Sequence, residues 1–284
     1  MRIGSISMVS KNSNIKLKDR KLNQGQLEVL LKLYRYRFGT RELIADSLSK
    51  SNNTSIYSRL QILQVNGYIA NRFDKSYKLS GRPAAYYLLP KGLRALKQYT
   101  NRDDITDAAI KKSYKDKDGT ISEQFIDHNL VVYVIGNQLQ ALYPAIKQFT
   151  KRELVIYNYF PKQLPDLYLS IKLGDQTKRL FLDYIEASTP SFVIDRQLRQ
   201  KIEYYQNGDW QAKGNPFPPI LYVCETGSLE KRLQKLANKA LYRSDTDMSV
   251  YTTTKNALGS ASPKNDLIWS SVKDPDGLVT LIVL

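Results

Sequence analysis

Residues 165–205 (PDLYLSIKLGDQTKRLFLDYIEASTPSFVIDRQLRQKIEYY) constrain the fold more than any other part of this chain. Pro165-Asp166 opens a strand over Leu167 to Leu173, and a turn at Gly174-Asp175 reverses it. Leu180 to Ile185 run back as a second strand. An amphipathic helix from Phe192 to Gln206 follows and carries Lys201 on its third turn. The order sets an acid at a strand start, further acids on the neighbouring strand and a lysine facing both. Carboxylates hold a divalent metal, and a lysine steadies the negative charge of an attacked phosphate.

The flanking elements fit an α/β class. The apolar helix SEQFIDHNLVVYVIGNQLQALYPAIKQF, opened by Thr120 to Glu123, precedes three strand-length runs: Leu154 to Phe160, Leu167 to Leu173 and Leu180 to Ile185. After the Lys201 helix come a proline-rich turn, the strand ILYVCE and the helix SLEKRLQKLANKALYRS. Three consecutive strands before a crossover helix predict an antiparallel meander that continues into a parallel pair, a mixed sheet. Ser249 to Thr254, Asp266 to Val272 and Leu278 to Leu284 are expected to extend it.

The charge is uneven. Of 284 residues, the first hundred hold 19 Lys and Arg against 5 Asp and Glu, whereas residues 101–284 hold 24 against 22. An excess of +14 against +2 predicts two modules, one shaped for a polyanion. In the basic module, apolar spacing and caps predict three helices: one begun by Asn23, one by Thr40, and TSIYSRLQILQVNG closed by Gly67. Ile56, Leu60, Leu63 and Val65 are expected in its core. Two strands, Tyr68 to Phe73 and Ala84 to Leu89, flank the basic turn DKSYKLSGRP, and a last helix follows. On this reading Asn53, Ser55, Tyr57, Ser58 and Arg59 enter a DNA groove, with Lys75, Lys78 and Arg82 on phosphates. The charged segment 101–119 reads as a linker with a short helix near Ile105 to Lys112.

These strings resemble two known patterns. TRELIADSLSKSNNTSIYSRLQILQVNGYIANR resembles a winged helix-turn-helix. The helix–three strands–helix–strand order, with Pro165-Asp166 and Asp183 seventeen residues on, resembles the restriction-endonuclease-like fold with its PD-(D/E)xK site. Together, LPDLYLSI, RLFLDYIEAST, RQKIEYY and PPILYV behind FIDHNLVVYVIGNQL resemble the replication-relaxation family of plasmids and mobile elements, over most of residues 23–242. The resemblance implies a basic N-terminus (1–20), a winged helix-turn-helix (21–100), a linker (101–119) and a nuclease-like domain with an αβββαβ core (120–284). It also implies catalytic Asp166, Asp183 and Lys201, and Mg²⁺ on Asp166, Asp183 and Glu186. The expected partners are double-stranded DNA, replication or mobilisation proteins and a second copy of the chain.

Two positions depart from the pattern. Ile185 stands where the motif has lysine, and strand alternation turns Glu186 away from Asp183 unless the strand ends first. The expected function is therefore a DNA-binding protein of replication initiation or mobilisation with a metal-dependent nickase. The alternatives are a non-catalytic regulator or initiator with a degenerate nuclease-like domain, and a small-molecule-responsive repressor. The one histidine, His128, is read as a packing or hydrogen-bonding residue, and it excludes relaxases that hold their metal with several histidines. Cys224 is read as a buried reduced thiol of a cytoplasmic protein. No apolar run is long enough to predict a membrane span.

Overall fold

Asn23 starts the first helix by a reciprocal cap: its side chain accepts the Gln26 N–H at 2.9 Å, while the Gln26 side chain accepts the Asn23 N–H at 3.0 Å. The computed structural model describes residues 21–49, 53–100, 102–115, 121–210 and 214–284, so the expected basic segment 1–20 and part of the expected linker lie outside the described residues. Three helices come first: α1 (Gln24–Tyr36), α2 (Arg41–Ser47) and α3 (Asn53–Val65). Thr40 caps α2 by accepting the Leu43 N–H at 3.3 Å. Gly67, at φ +70°, ends α3 by reversing the chain, so that Tyr68 N–H reaches the Leu63 carbonyl at 2.9 Å. Val29, Leu30, Ile56, Leu60 and Leu63 are wholly buried between the helices. Val65 is not; it lies two residues, roughly 200° of helix, beyond Leu63 and is exposed.

An antiparallel ribbon, β1 (Ile69–Arg72) and β2 (Ala85–Leu88), follows with Ile69 opposite Leu88. Its connection is not a bare basic turn. It holds the short helix α4 (Lys75–Leu79), because Asp74 accepts the Ser76 and Tyr77 N–H groups. Then come α5 (Pro90–Thr100) and α6 (Asp107–Lys115); Thr106 caps the latter, and Ile105 and Ile110 anchor it in the core.

The second half is built on a seven-stranded mixed sheet. Helix α7 (Glu123–Leu142) leads into β3 (Lys147–Thr150), α8 (Lys151–Leu154), β4 (Leu167–Leu173) and β5 (Gln176–Ile185). The chain continues as α9 (Ser191–Gln206), β6 (Ile220–Cys224), α10 (Gly227–Arg243), β7 (Val250–Thr254), α11 (Lys255–Ser260), β8 (Trp269–Ser271) and β9 (Leu278–Val279). The sheet order is β3-β4-β5-β6-β7-β8-β9; β5, β6 and β7 are parallel and all other neighbours antiparallel. Helix α7 packs on one face, and α9 and α10 on the other.

One strand is displaced from its expected place. The meander starts at β3, not at residues 154–160. A box between Thr150 and Glu153 turns the chain into α8, after which Val155, Ile156 and Tyr157 are exposed. Phe160 instead inserts among Tyr168, Phe181 and Trp210, with ring centroids 5.3 to 6.0 Å away. Aromatic packing, not strand pairing, explains that apolar run.

The basic N-terminal part and the sheet share one continuous core running from α1 through α7 to β4 and β5. Tyr36 stacks on Tyr133 with centroids 3.9 Å apart, close enough that Gly136 has room for no side chain: a Cβ there would lie 2.3 Å from the Tyr36 hydroxyl. Beside this contact, the buried Glu153 carboxylate takes Arg35 and Arg102, each at 3.0 Å. Arg102 also pairs with Asp104 at 2.7 Å.

Candidate active site

The β4–β5 register brings the two aspartates together. Leu167 lies opposite Leu182, so Asp166 and Asp183 face each other one step further along the ladder. The Asp166 N–H donates to Asp183 Oδ1 at 3.0 Å, and the Tyr184 N–H donates to Asp166 Oδ2 at 2.8 Å. Both side chains are buried. On α9, Lys201 belongs to the same inward stripe as Ile194, Leu198 and Ile202. It reaches Asp183 Oδ2 from below, and donates to the Tyr222 hydroxyl of β6 at 3.2 Å. Burial opposes its charge, yet the Asp183 carboxylate outweighs that and raises the Lys201 pKa above the ordinary lysine range.

The opposite rim comes from α7 and α8. His128 Nε2 lies 3.0 Å from Asp166 Oδ1, and its Nδ1 lies 3.1 Å from Glu186 Oε1. Lys151 Nζ contacts the same Asp166 oxygen at 2.5 Å. Strand β5 ends at Ile185, which releases Glu186 from the alternation that would have turned it away. Gln124, one helical turn before His128, donates to Glu186 Oε2 at 2.7 Å. Burial works against a charged imidazole, but the Asp166 hydrogen bond and charge, with Glu186 behind them, raise the His128 pKa. Burial likewise opposes ionisation of Asp166, while Lys151 and His128 hold its carboxyl far below the usual carboxylate range. Ile185, at the motif's lysine position, is buried against α9 and β6; the Lys201 ammonium occupies that side of the sheet.

Gln124, His128, Lys151, Asp166, Asp183, Ile185 and Glu186 line a cleft of about 310 Å³, with Gln163, Thr189, Pro190 and Gln197 also in its wall, while Lys201 lies behind it. Among the described residues no three His, Cys, Asp or Glu side chains surround one point as metal ligands. The imidazole stands between Asp166 and Glu186, which separates Glu186 from the aspartate pair. Mg²⁺ has a smaller requirement: one or two carboxylates, with water and phosphate oxygens completing its shell. The adjacent aspartates meet it. The cation now on Asp166 is Lys151, whose side chain is 51% exposed and can leave, whereas Lys201 is 5% exposed and fixed. The donor set therefore fits a two-carboxylate ion taking the place of Lys151.

The sequence profile of the replication-relaxation family matches residues 30–220, more than half of the chain, and spans every residue of this cleft. The chain belongs to the replication-relaxation family. Comparison with curated proteins gives no match. Among solved structures, the Lactococcus lactis ZitR C30AH42A mutant is 17% identical over 49% of this chain and 81% of its own, with a TM-score of 0.23. Restriction endonuclease FokI bound to DNA is 12% identical over 88% of this chain, at a TM-score of 0.31. This chain spans 47% of that FokI structure and 45% of a second FokI structure, where the TM-score is 0.30. At such scores none of these likenesses carries weight for fold or chemistry.

The residues expected to meet DNA lie on α3, on α4 and next to β2 in this replication-relaxation protein. Asn53 begins α3; Ser55 is half-buried and Tyr57 and Ser58 are exposed. Tyr57, with Gln61, Asn71, Phe73 and Tyr86, lines a groove of about 470 Å³ between α3 and the β1–β2 ribbon. Arg59 folds back onto α1, its guanidinium 3.4 Å from the Gly25 carbonyl. Lys75 and Lys78 are exposed on α4, the latter 5.4 Å from the Phe73 ring. Arg82 lies over the Tyr77 ring and pairs with Glu123 at 2.9 Å and with Asp127, both on α7. It also lines the same groove as Tyr57.

Sequence reasoning missed His128 and Lys151 as parts of the cleft. The i, i+4 spacing of Gln124 and His128 on α7 was the available signal for the first. Lys151 had none, because the expected strand at 154–160 hid the turn that presents it.

Proposed function

We propose that this protein binds DNA through its N-terminal helices and ribbon, a winged helix-turn-helix, and cleaves a DNA phosphodiester in a restriction-endonuclease-like cleft at Asp166 and Asp183. The meeting of Asp166, Asp183 and Lys201 carries this reading. An isolated acid at a strand end is ordinary. Two buried aspartates hydrogen-bonded across a ladder, with a lysine buried beneath them, are an expensive arrangement to keep without use.

The division of labour follows from burial. Lys201 keeps Asp183 ionised and oriented from behind, and has no path to solvent, so it positions instead of contacting a phosphate. Lys151, at the mouth, is the cation free to meet the phosphate once it releases Asp166, where positive charge favours the transition state. His128 holds Asp166 and Glu186 in place. A divalent cation on Asp166 and Asp183 would supply Lewis-acid polarisation of the phosphate and a more acidic water. Tyr57 and the α3 groove, with Lys75 and Lys78, account for duplex binding; Arg59 and Arg82 contribute to the scaffold.

The experiment is incubation of supercoiled DNA carrying the replicon's own origin with protein and Mg²⁺ or Mn²⁺. Nicking that disappears in Asp166→Ala supports the reading; absence of nicking in both contradicts it. One observation favours the second reading, a non-catalytic initiator or regulator: both aspartates are already neutralised by protein cations. That reading predicts an origin footprint with no cleavage.

A further inference from the structure

Helix α10 carries a charge pattern that the cleft does not use. Its five cations, Lys231, Arg232, Lys235, Lys239 and Arg243, are all exposed. At about 100° per residue they fall within an arc of roughly 120°, opposite the buried stripe of Leu229, Leu233, Ala237 and Leu241. The helix's one acid, Glu230, lies outside that arc and is bound by the Thr252 hydroxyl at 2.9 Å. Among the described residues none of the five pairs with a carboxylate within salt-bridge distance.

Ordinary solvated helices mix signs, and the neighbouring α9 does so: Arg196, Arg199, Asp195 and Glu203 balance, with Arg199 paired to Asp195. By contrast, Lys231–Lys235, Lys235–Lys239 and Lys239–Arg243 on α10 are like-charged neighbours at i, i+4, each unfavourable for the helix. The stripe also has a direction. Arg232 donates to the Thr189 carbonyl at 3.1 Å, in the loop that walls the Asp166–Asp183 cleft. The next groove, of about 490 Å³, begins at Ser191 and Phe192 and runs between α9 and α10 past Lys239 to Arg243.

We infer that the exposed face of α10 is a second DNA surface, which holds the phosphate backbone of duplex leading away from the cleft. The inference rests on the proposed DNA-processing function but concerns a different part of the molecule from the ribbon and α3. Such a surface contributes affinity without reading sequence. It explains why a unit almost neutral overall sets five cations on one face of a single helix beside the cleft.

The test compares full-length wild type, a ribbon variant (Lys75→Ala/Lys78→Ala) and an α10 variant (Lys231→Gln/Lys235→Gln/Lys239→Gln/Arg243→Gln). Binding to a short duplex of arbitrary sequence is measured by fluorescence anisotropy between about 50 and 200 mM salt. Each neutralised phosphate contributes about 0.9 to the slope of log affinity against log salt. The α10 variant is expected to lose about 3.6 from that slope, independently of the ribbon variant, with its melting temperature at or above wild type. An unchanged slope in the α10 variant, alongside a reduced one in the ribbon variant, overturns the second surface and leaves the DNA-binding function standing. No duplex binding by wild type overturns both. Unchanged DNA binding with loss of binding to phosphatidylglycerol–phosphatidylcholine vesicles assigns the face to lipid and overturns the inference.

Discussion

The Lys201 ammonium donates to the Asp183 carboxylate across 18 residues of chain; the ammonium is buried, while the carboxylate still lines the cleft. The pair fixes α9 to the strand end that carries the site. Removing one partner leaves the other as an uncompensated buried charge, which costs about 3–5 kcal/mol. Lys201→Met is therefore expected to lower unfolding free energy by that amount in urea denaturation. Adding Asp183→Asn should restore part of the loss, because no bare charge then remains. Equal stabilities of wild type and Lys201→Met would show that the pair is not formed.

His128 gives the site a pH dependence with a definite sign. Its folded pKa is raised by Asp166 and Glu186, so its contribution to stability is complete below the unfolded value of about 6.5 and is lost as pH rises through the folded value. Melting temperatures of wild type and His128→Asn should differ most near pH 6 and converge at higher pH. A gap that widens with rising pH would contradict the double hydrogen bond.

Gly136 tests the contact between the N-terminal helices and α7. In an exposed helix Gly→Ala stabilises by up to about 1 kcal/mol. Here the added Cβ would lie 2.3 Å from the Tyr36 hydroxyl and 2.9 Å from Gln148 Oε1. Gly136→Ala is expected to destabilise by about 1–3 kcal/mol, read by thermal or urea unfolding, and to loosen the Tyr36–Tyr133 stack.

Cys224 lies wholly buried on β6, and burial pushes its thiol up to about 12. Reactivity follows the thiolate. Labelling by a disulfide reagent at neutral pH should therefore be negligible in the native protein and complete in denaturant. Rapid native labelling would mean that the sheet opens at β6.

Much of the frame was legible because its signals are local. Asn23, Thr40 and Gly67 are caps whose chemistry acts within three or four residues, and β4 falls where its alternating run predicts. The Asp166–Asp183 approach was legible from a glycine turn joining two strands. What escaped depends on tertiary choices. Helix α7 is apolar around much of its circumference, so sequence could not say which side of it meets the sheet; His128 was expected to pack or hydrogen-bond, and it does hydrogen-bond, but its place in the cleft was not foreseen. Residues 155–160 have strand composition but serve an aromatic cluster with Trp210, and that concealed Lys151. Arg59 and Arg82 also hold contacts within the protein, to the Gly25 carbonyl and to the α7 acids, which no local pattern announces.

The proposed cleavage needs Asp166 and Asp183 to accept a divalent cation in the place of Lys151. Mn²⁺ titration followed by electron paramagnetic resonance, in which bound ion disappears from the free-ion signal, tests it without relying on activity. Wild type should sequester one Mn²⁺ per chain, Asp183→Asn should bind severalfold more weakly, and Lys151→Ala, with the competing ammonium gone, severalfold more tightly. No binding by wild type, or identical binding by wild type and Lys151→Ala, would contradict the account.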